Sequence, residues 1–127
     1  VISGILLPPR GKKGGDAYLR FIPRTEMDIA VVGAAVSLTL EGDTITAARV
    51  SLGAVAPTVL LVAEAAEAII GTTLDDTALS ALAAVARSAA KPISDKRGTA
   101  EFRVEVAGVL AQRAARIAYA RAKGESA

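Results

Sequence analysis

The residues of this chain best suited to chemistry sit close together: Tyr18, Arg20 and Arg24, within AYLRFIPRTEMDIAVVGAAVSLTL, residues 17–40. A tyrosine offers a flat amphipathic surface and an arginine a permanently charged planar fork. Both are enriched where one surface is buried against another. That is recognition chemistry, not bond-breaking, and on residue type alone a strand face wetted by solvent explains it equally well. Carboxylate pairs stand at Asp75–Asp76 and at Glu101 and Glu105. The first is placed as a helix N-cap and the second as an acidic row near a helix start, so neither defines a pocket for general acid–base work. Glu64 and Glu67 read as an exposed helix face. The cations from Arg113 to Lys123 read as a solvated one, with partner contact as the lesser alternative.

What is missing narrows the chemistry further. The 127 residues include no cysteine and no histidine, which removes disulfides, thiolate nucleophiles, imidazole bases and Cys/His zinc sites. No nucleophile motif suggests an independent hydrolase. A net charge of +2, with two Phe, two Tyr and no Trp, argues against nucleic-acid binding. The uncharged run Ile29 to Leu40 is 12 residues long, too short to cross a bilayer. Val1 to Pro8 lacks the basic leader of a signal peptide. The chain opens on Val and not Met, and is expected to be a piece of something larger.

The elements that must position these residues follow from periodicity. Length and a 52% apolar composition fit one globular domain, and with aromatics at 3% its core is built from Ala, Val, Leu and Ile. Val1 to Leu7 is β-rich and stops at Pro8-Pro9. RGKKGGD, residues 10–16, is a basic turn. A phosphate cradle would need a helix to follow it, and a strand pattern follows instead. Asp16 to Ile22 alternates, with Ala17, Leu19 and Phe21 on one side and Asp16, Tyr18 and Arg20 on the other. From Ile29 the even positions through Leu40 are all apolar. The odd ones drift from apolar to Ser37 and Thr39, as if one end of the strand were covered on both faces. EGDT, residues 41–44, reverses the chain, and Ile45 to Ala54 returns with an irregularity expected around Ala47-Ala48.

Beyond Pro57 the period becomes helical. Ala63 to Ile70 is a short helix closed by Gly71. Asp75 or Asp76 caps a second, with Leu79, Leu82, Val85 and Ala86 on one face. Thr99 opens a third, with Phe102, Val106, Val109, Leu110, Ala114 and Ile117 along its stripe. Three or four strands followed by three helices predict an α+β two-layer sandwich: an antiparallel sheet with three helices on one face. The face bearing Tyr18 and Arg20 must then meet solvent or another domain.

In order and spacing, AYLRFIPRTEMDIAVVGAAV, ITAARVSLGAVAPT, the Ala-rich helix closing on GTTLDD, and PISDKRGTAEFRVEVAGVLAQRA resemble the C-terminal domain of the FAD-binding (medium) subunit of molybdenum hydroxylases, the carbon monoxide dehydrogenase and xanthine dehydrogenase family. The resemblance implies that residues 1–9 are a strand continuing from a missing upstream flavin domain and that residues 10–127 form a single α+β domain. It implies an oxidoreductase holoenzyme in the cytoplasm, with a molybdenum cofactor on a large subunit and 2Fe-2S clusters on a small one. Electrons would pass through FAD to an acceptor. The flavin's phosphate-binding loops are absent here, so this chain alone is expected to be colourless and not catalytic.

The family's Tyr-x-Lys strand sets a lysine near the pyrimidine end of the flavin ring, and Tyr18 and Arg20 fall on that strand. Arginine replaces lysine at position 20, and a usual pair of arginines becomes Pro23-Arg24, whereas Asp28-Ile29-Ala30 keeps the pattern. A cation there stabilises the reduced, anionic ring. At ~4 Å and an effective dielectric of ~20 the attraction is about 4 kcal/mol, on the order of 100 mV for one electron before screening. Without the resemblance, a free-standing α+β interaction or regulatory module is an equally good reading.

Overall fold

The computed structural model describes residues 1–24 and 29–125. Four antiparallel strands lie in sequence order, β1 (Gly14–Phe21), β2 (Val32–Glu41), β3 (Thr44–Gly53) and β4 (Leu60–Leu61). Helices α1 (Ala63–Ile69), α2 (Asp76–Ala89) and α3 (Ala100–Ala122) follow. The helix α3 lies against β1 and β2, α1 against β3, and α2 against both other helices. This is the α+β two-layer arrangement that the element order predicts.

Period two does the sorting. The even residues of β2, Val32, Ala34, Val36, Leu38 and Leu40, are buried with Ile45, Val50 and Leu52 of β3, and these pack with Ile69, Leu79 and Leu82 of the helices. The β2–β3 hairpin closes on Gly42-Asp43, with only Gly42 at positive φ (62°), the pattern of a turn whose first central residue must be left-handed. The irregularity on β3 falls one residue earlier than expected. The register steps between Thr39↔Ala47 and Leu40↔Ile45, leaving Thr46 as the extra residue, its hydroxyl donating to the Thr39 carbonyl. Asp75, not Asp76, caps α2, with Oδ1 accepting from the Ala78 amide at 2.9 Å. Thr99 caps α3 through the Phe102 amide. Gly71, at φ 83°, ends α1 and turns its amide to the Ile45 carbonyl of β3.

Residues 1–9 are exposed and are not part of this sheet; its fourth strand is Leu60–Leu61, whose two residues are too few to carry a period. RGKKGGD is a tight turn, as expected, the Gly14 amide bonding the Gly11 carbonyl as the chain enters β1. One expectation needs correction in part, the stripe of α3. Leu110 and Ala114 are buried as expected and Val106 and Ile117 are half-buried, but Phe102 and Val109 are exposed, and Ala107, Gly108, Ala111, Ala115, Ala118 and Ala122 fill the buried face. The reason is distance. A Cβ built on Gly15 of β1 would collide with the Ala118 carbonyl oxygen and lie 2.5 Å from the Ala122 nitrogen. At that separation helix backbone meets strand backbone, and only small side chains fit between them.

Candidate functional site

Because Ala17 and Leu19 point into the core, Tyr18 and Arg20 point away from the helices, and both are exposed. Tyr18 is paired with Ala35 and Arg20 with Gly33. The register continues those rows across β2 to Ser51 and Gly53 of β3. The outer face is therefore a floor of small residues, with Tyr18 and Arg20 on one side and Arg49 on the other. A shallow depression of about 320 Å³ runs between Tyr18 and Arg49 over Ala35, Ser37 and Ser51. Among the described residues neither Arg20 nor Arg49 has a hydrogen-bond or ion-pair partner. Toward the other end of the face, Leu7 to Gly11 border a larger cleft, of about 700 Å³, over Ser37, Thr39, Ala47 and Arg49. Arg10 is paired there with Asp16 at 2.6 Å.

Gly33 is buried although it belongs to the outer face. Tyr18 covers it: a Cβ at position 33 would lie 2.8 Å from the phenol oxygen. Arg24 is exposed in the bend beyond β1, outside the sheet rows that hold Tyr18 and Arg20. Asp28, also part of the family pattern, lies outside the described residues.

The second polar cluster belongs to the start of α3. Arg103 is 5% exposed and donates to the Val31 carbonyl at 3.3 Å and to Asp95 Oδ1 at 2.7 Å. The Arg97 amide donates to the same carboxylate at 2.8 Å. That amide bond is the largest influence on Asp95. Together with the Arg103 and Arg97 guanidinium groups it outweighs the opposing effect of burial and holds the carboxyl below its ordinary value. Beside this pair, Phe102 meets Phe21 edge-on at 5.6 Å. Since the Val31 amide also bonds the Phe21 carbonyl, both ends of the β1–β2 connection are tied to the first turn of α3.

Sequence reasoning missed Arg49 and Arg103. Arg49 had a usable signal, a cation at an outward position of a strand that returns beside Ser37. Arg103 had none, because an arginine in a helix's first turns reads as solvated until the carbonyl it reaches is known. Glu105, read as part of an acidic row, has Oε2 at 3.2 Å from Arg87 Nε, too poorly aligned for a hydrogen bond. Asp75 and Thr99 are caps, as expected. Among the described residues no group of three His, Cys, Asp or Glu is placed to hold a metal, and no helix is long and apolar enough to cross a membrane.

The profile of the CO dehydrogenase flavoprotein C-terminal domain matches residues 17–118. The chain belongs to that family. It is similar to the medium chain of carbon monoxide dehydrogenase from Afipia carboxidovorans, 42% identical over 119 residues, which are 94% of this chain and 40% of that one. Among solved structures, reconstituted CO dehydrogenase from Oligotropha carboxidovorans superposes with a TM-score of 0.84 at 39% identity, over 92% of this chain and 40% of that one. Quinoline 2-oxidoreductase from Pseudomonas putida 86 superposes at 0.80 with 28% identity, over 86% of this chain and 38% of that one. The chain thus spans about two fifths of the length of the relatives it matches. As a flavoprotein C-terminal domain it has the α+β fold of its relatives, with Tyr18 and Arg20 inside the matched region.

Proposed function

We propose that this domain closes one side of a flavin held by an upstream domain of a medium subunit. Arg20 would supply the fixed positive charge beside the ring, and Tyr18 a flat phenol next to it. The observation that carries the reading is that Arg20, without a partner among the described residues, and an exposed Tyr18 share the face opposite the helices, in line with the open strand glycine Gly53. Glycine within a strand marks places where another backbone or a ligand comes close. A domain joined ahead of residues 7–11 would arrive on that same face, since these residues already border it.

The residues fit one wall of a flavin and not the whole dinucleotide. A pyrophosphate needs amides focused at a helix N-terminus. RGKKGGD leads into a strand instead, and its Arg10 is tied to Asp16. Holding FAD therefore falls to the upstream part of the subunit, and the domain orients and shields it. FAD, when bound, supplies the passage of electrons from 2Fe-2S clusters and the molybdenum cofactor of partner subunits to an external acceptor. Arg20 would favour whichever state of the ring carries negative charge. Packing of the outer face would exclude the water that otherwise screens that interaction. The holoenzyme is thereby read as a cytoplasmic oxidoreductase of the carbon monoxide or xanthine dehydrogenase type, with this domain in a supporting part.

The test is Arg20→Met in the complete enzyme, with the flavin reduction potential as the readout. Removing the charge is expected to lower the potential, on the order of 100 mV for one electron before screening. A potential unchanged from that of the parent enzyme removes Arg20 from the site.

A further inference from the structure

Gly33 and Tyr18 are not directly paired: Tyr18 is opposite Ala35, and Gly33 lies two residues further along β2, opposite Arg20. The tyrosine ring nevertheless reaches diagonally across that gap, as long side chains can on one face of an antiparallel pair. A Cβ at residue 33 would stand 2.8 Å from the Tyr18 hydroxyl oxygen, 3.1 Å from Cε2 and 3.3 Å from Cζ. All three atoms belong to the far end of the side chain, so a methyl group would tip the ring off the sheet and leave the strands in place. Gly33 has no positive φ that would require glycine for the backbone's sake. Its missing side chain has another use, which is to leave room for the ring. Aromatic cover of a strand glycine also restores packing that the glycine lacks, in keeping with the burial of Gly33 beneath a tyrosine that is itself 60% exposed.

We infer that Gly33 is a positioning residue: it seats the Tyr18 ring flat against the sheet, with the hydroxyl carried into the row that holds Arg20. The phenol and the guanidinium are thereby presented together instead of two residues apart along the strand. A projecting Tyr18 would prop a docking surface away from Arg20; a seated one lets that surface reach both. The functional half of the inference rests on the flavin-facing reading above, whereas the seat itself does not.

The experiment is a double-mutant cycle of Tyr18→Ala, Gly33→Ala and their combination in the complete medium subunit, read by denaturation midpoint and by the absorption band and reduction potential of its flavin. If Gly33 seats Tyr18, Gly33→Ala lowers the midpoint when Tyr18 is present and has little effect once Tyr18 is alanine. It also shifts the flavin band and potential with the same sign as Tyr18→Ala, and the combined variant shifts them no further. Additive changes in midpoint overturn the inference and leave the flavin reading standing. A coupled midpoint with no flavin shift in any variant keeps the seat and retires Tyr18 from the flavin site. Flavin shifts for Tyr18→Ala with none for Gly33→Ala overturn the positioning claim alone.

Discussion

Gly15→Ala should be among the most damaging single-methyl changes available in this domain. The added Cβ would collide with the Ala118 carbonyl oxygen and lie 2.5 Å from the Ala122 nitrogen and 3.0 Å from its Cα. Ordinary contact begins near 3.4 Å, so the overlap at nitrogen is roughly 0.9 Å, and every atom struck is backbone. None can rotate away. Relief requires β1 to move off α3, which opens the alanine layer between them. Overpacking of a dense core costs about 1–3 kcal/mol, and a clash with immovable atoms belongs at the upper end, about 3 kcal/mol. Gly53→Ala is the matched control: the same methyl, also on a strand, meets nothing within 4 Å and should change stability by no more than ~0.5 kcal/mol. Urea unfolding followed by circular dichroism measures both. A loss below about 1 kcal/mol for Gly15→Ala, or equal losses for the two variants, would refute the close approach of α3 to β1. Since β1 carries Tyr18 and Arg20, displacing it should also disturb whatever those residues touch.

Other consequences are quicker to state. The folded state holds the Asp95 carboxyl below its ordinary value, so its contribution to stability is complete above the unfolded value near 3.8 and is lost as pH falls through the lower folded value. Asp95→Asn should flatten that acid limb of the unfolding midpoint against pH, and an unaltered limb would contradict the assignment. Arg103→Met should cost about 1–3 kcal/mol by leaving the buried Val31 carbonyl without a donor, as read from denaturant midpoints. Asp75→Ala removes the α2 cap and should cost about 1 kcal/mol, with Asp76→Ala near neutral; the reverse order would overturn the choice of cap.

Reading from the sequence, the strand Asp16 to Ile22 and the apolar even positions of β2 fixed which way Tyr18 and Arg20 point, because strand alternation is local geometry. A hydrophobic set of period two leaves its partner set nowhere to go but the opposite face. The α+β class followed for the same reason, from a change of period at Pro57, and the caps Thr99 and Asp75 or Asp76 followed from short-range hydrogen-bond chemistry. The core face of α3 followed only in part, at Leu110 and Ala114. Phe102 and Val109 outrank alanine in hydrophobicity, and only the approach of the helix to Gly15 decides that the alanines go inside. Nor could sequence reveal that Gly33 lies beneath Tyr18, that Leu60–Leu61 completes the sheet, or that Arg103 is buried on the Val31 carbonyl, 72 residues away in the chain. Periodicity reports which side of an element is apolar. How close two elements come, and which distant backbone group a side chain reaches, depends on packing the whole chain into one volume.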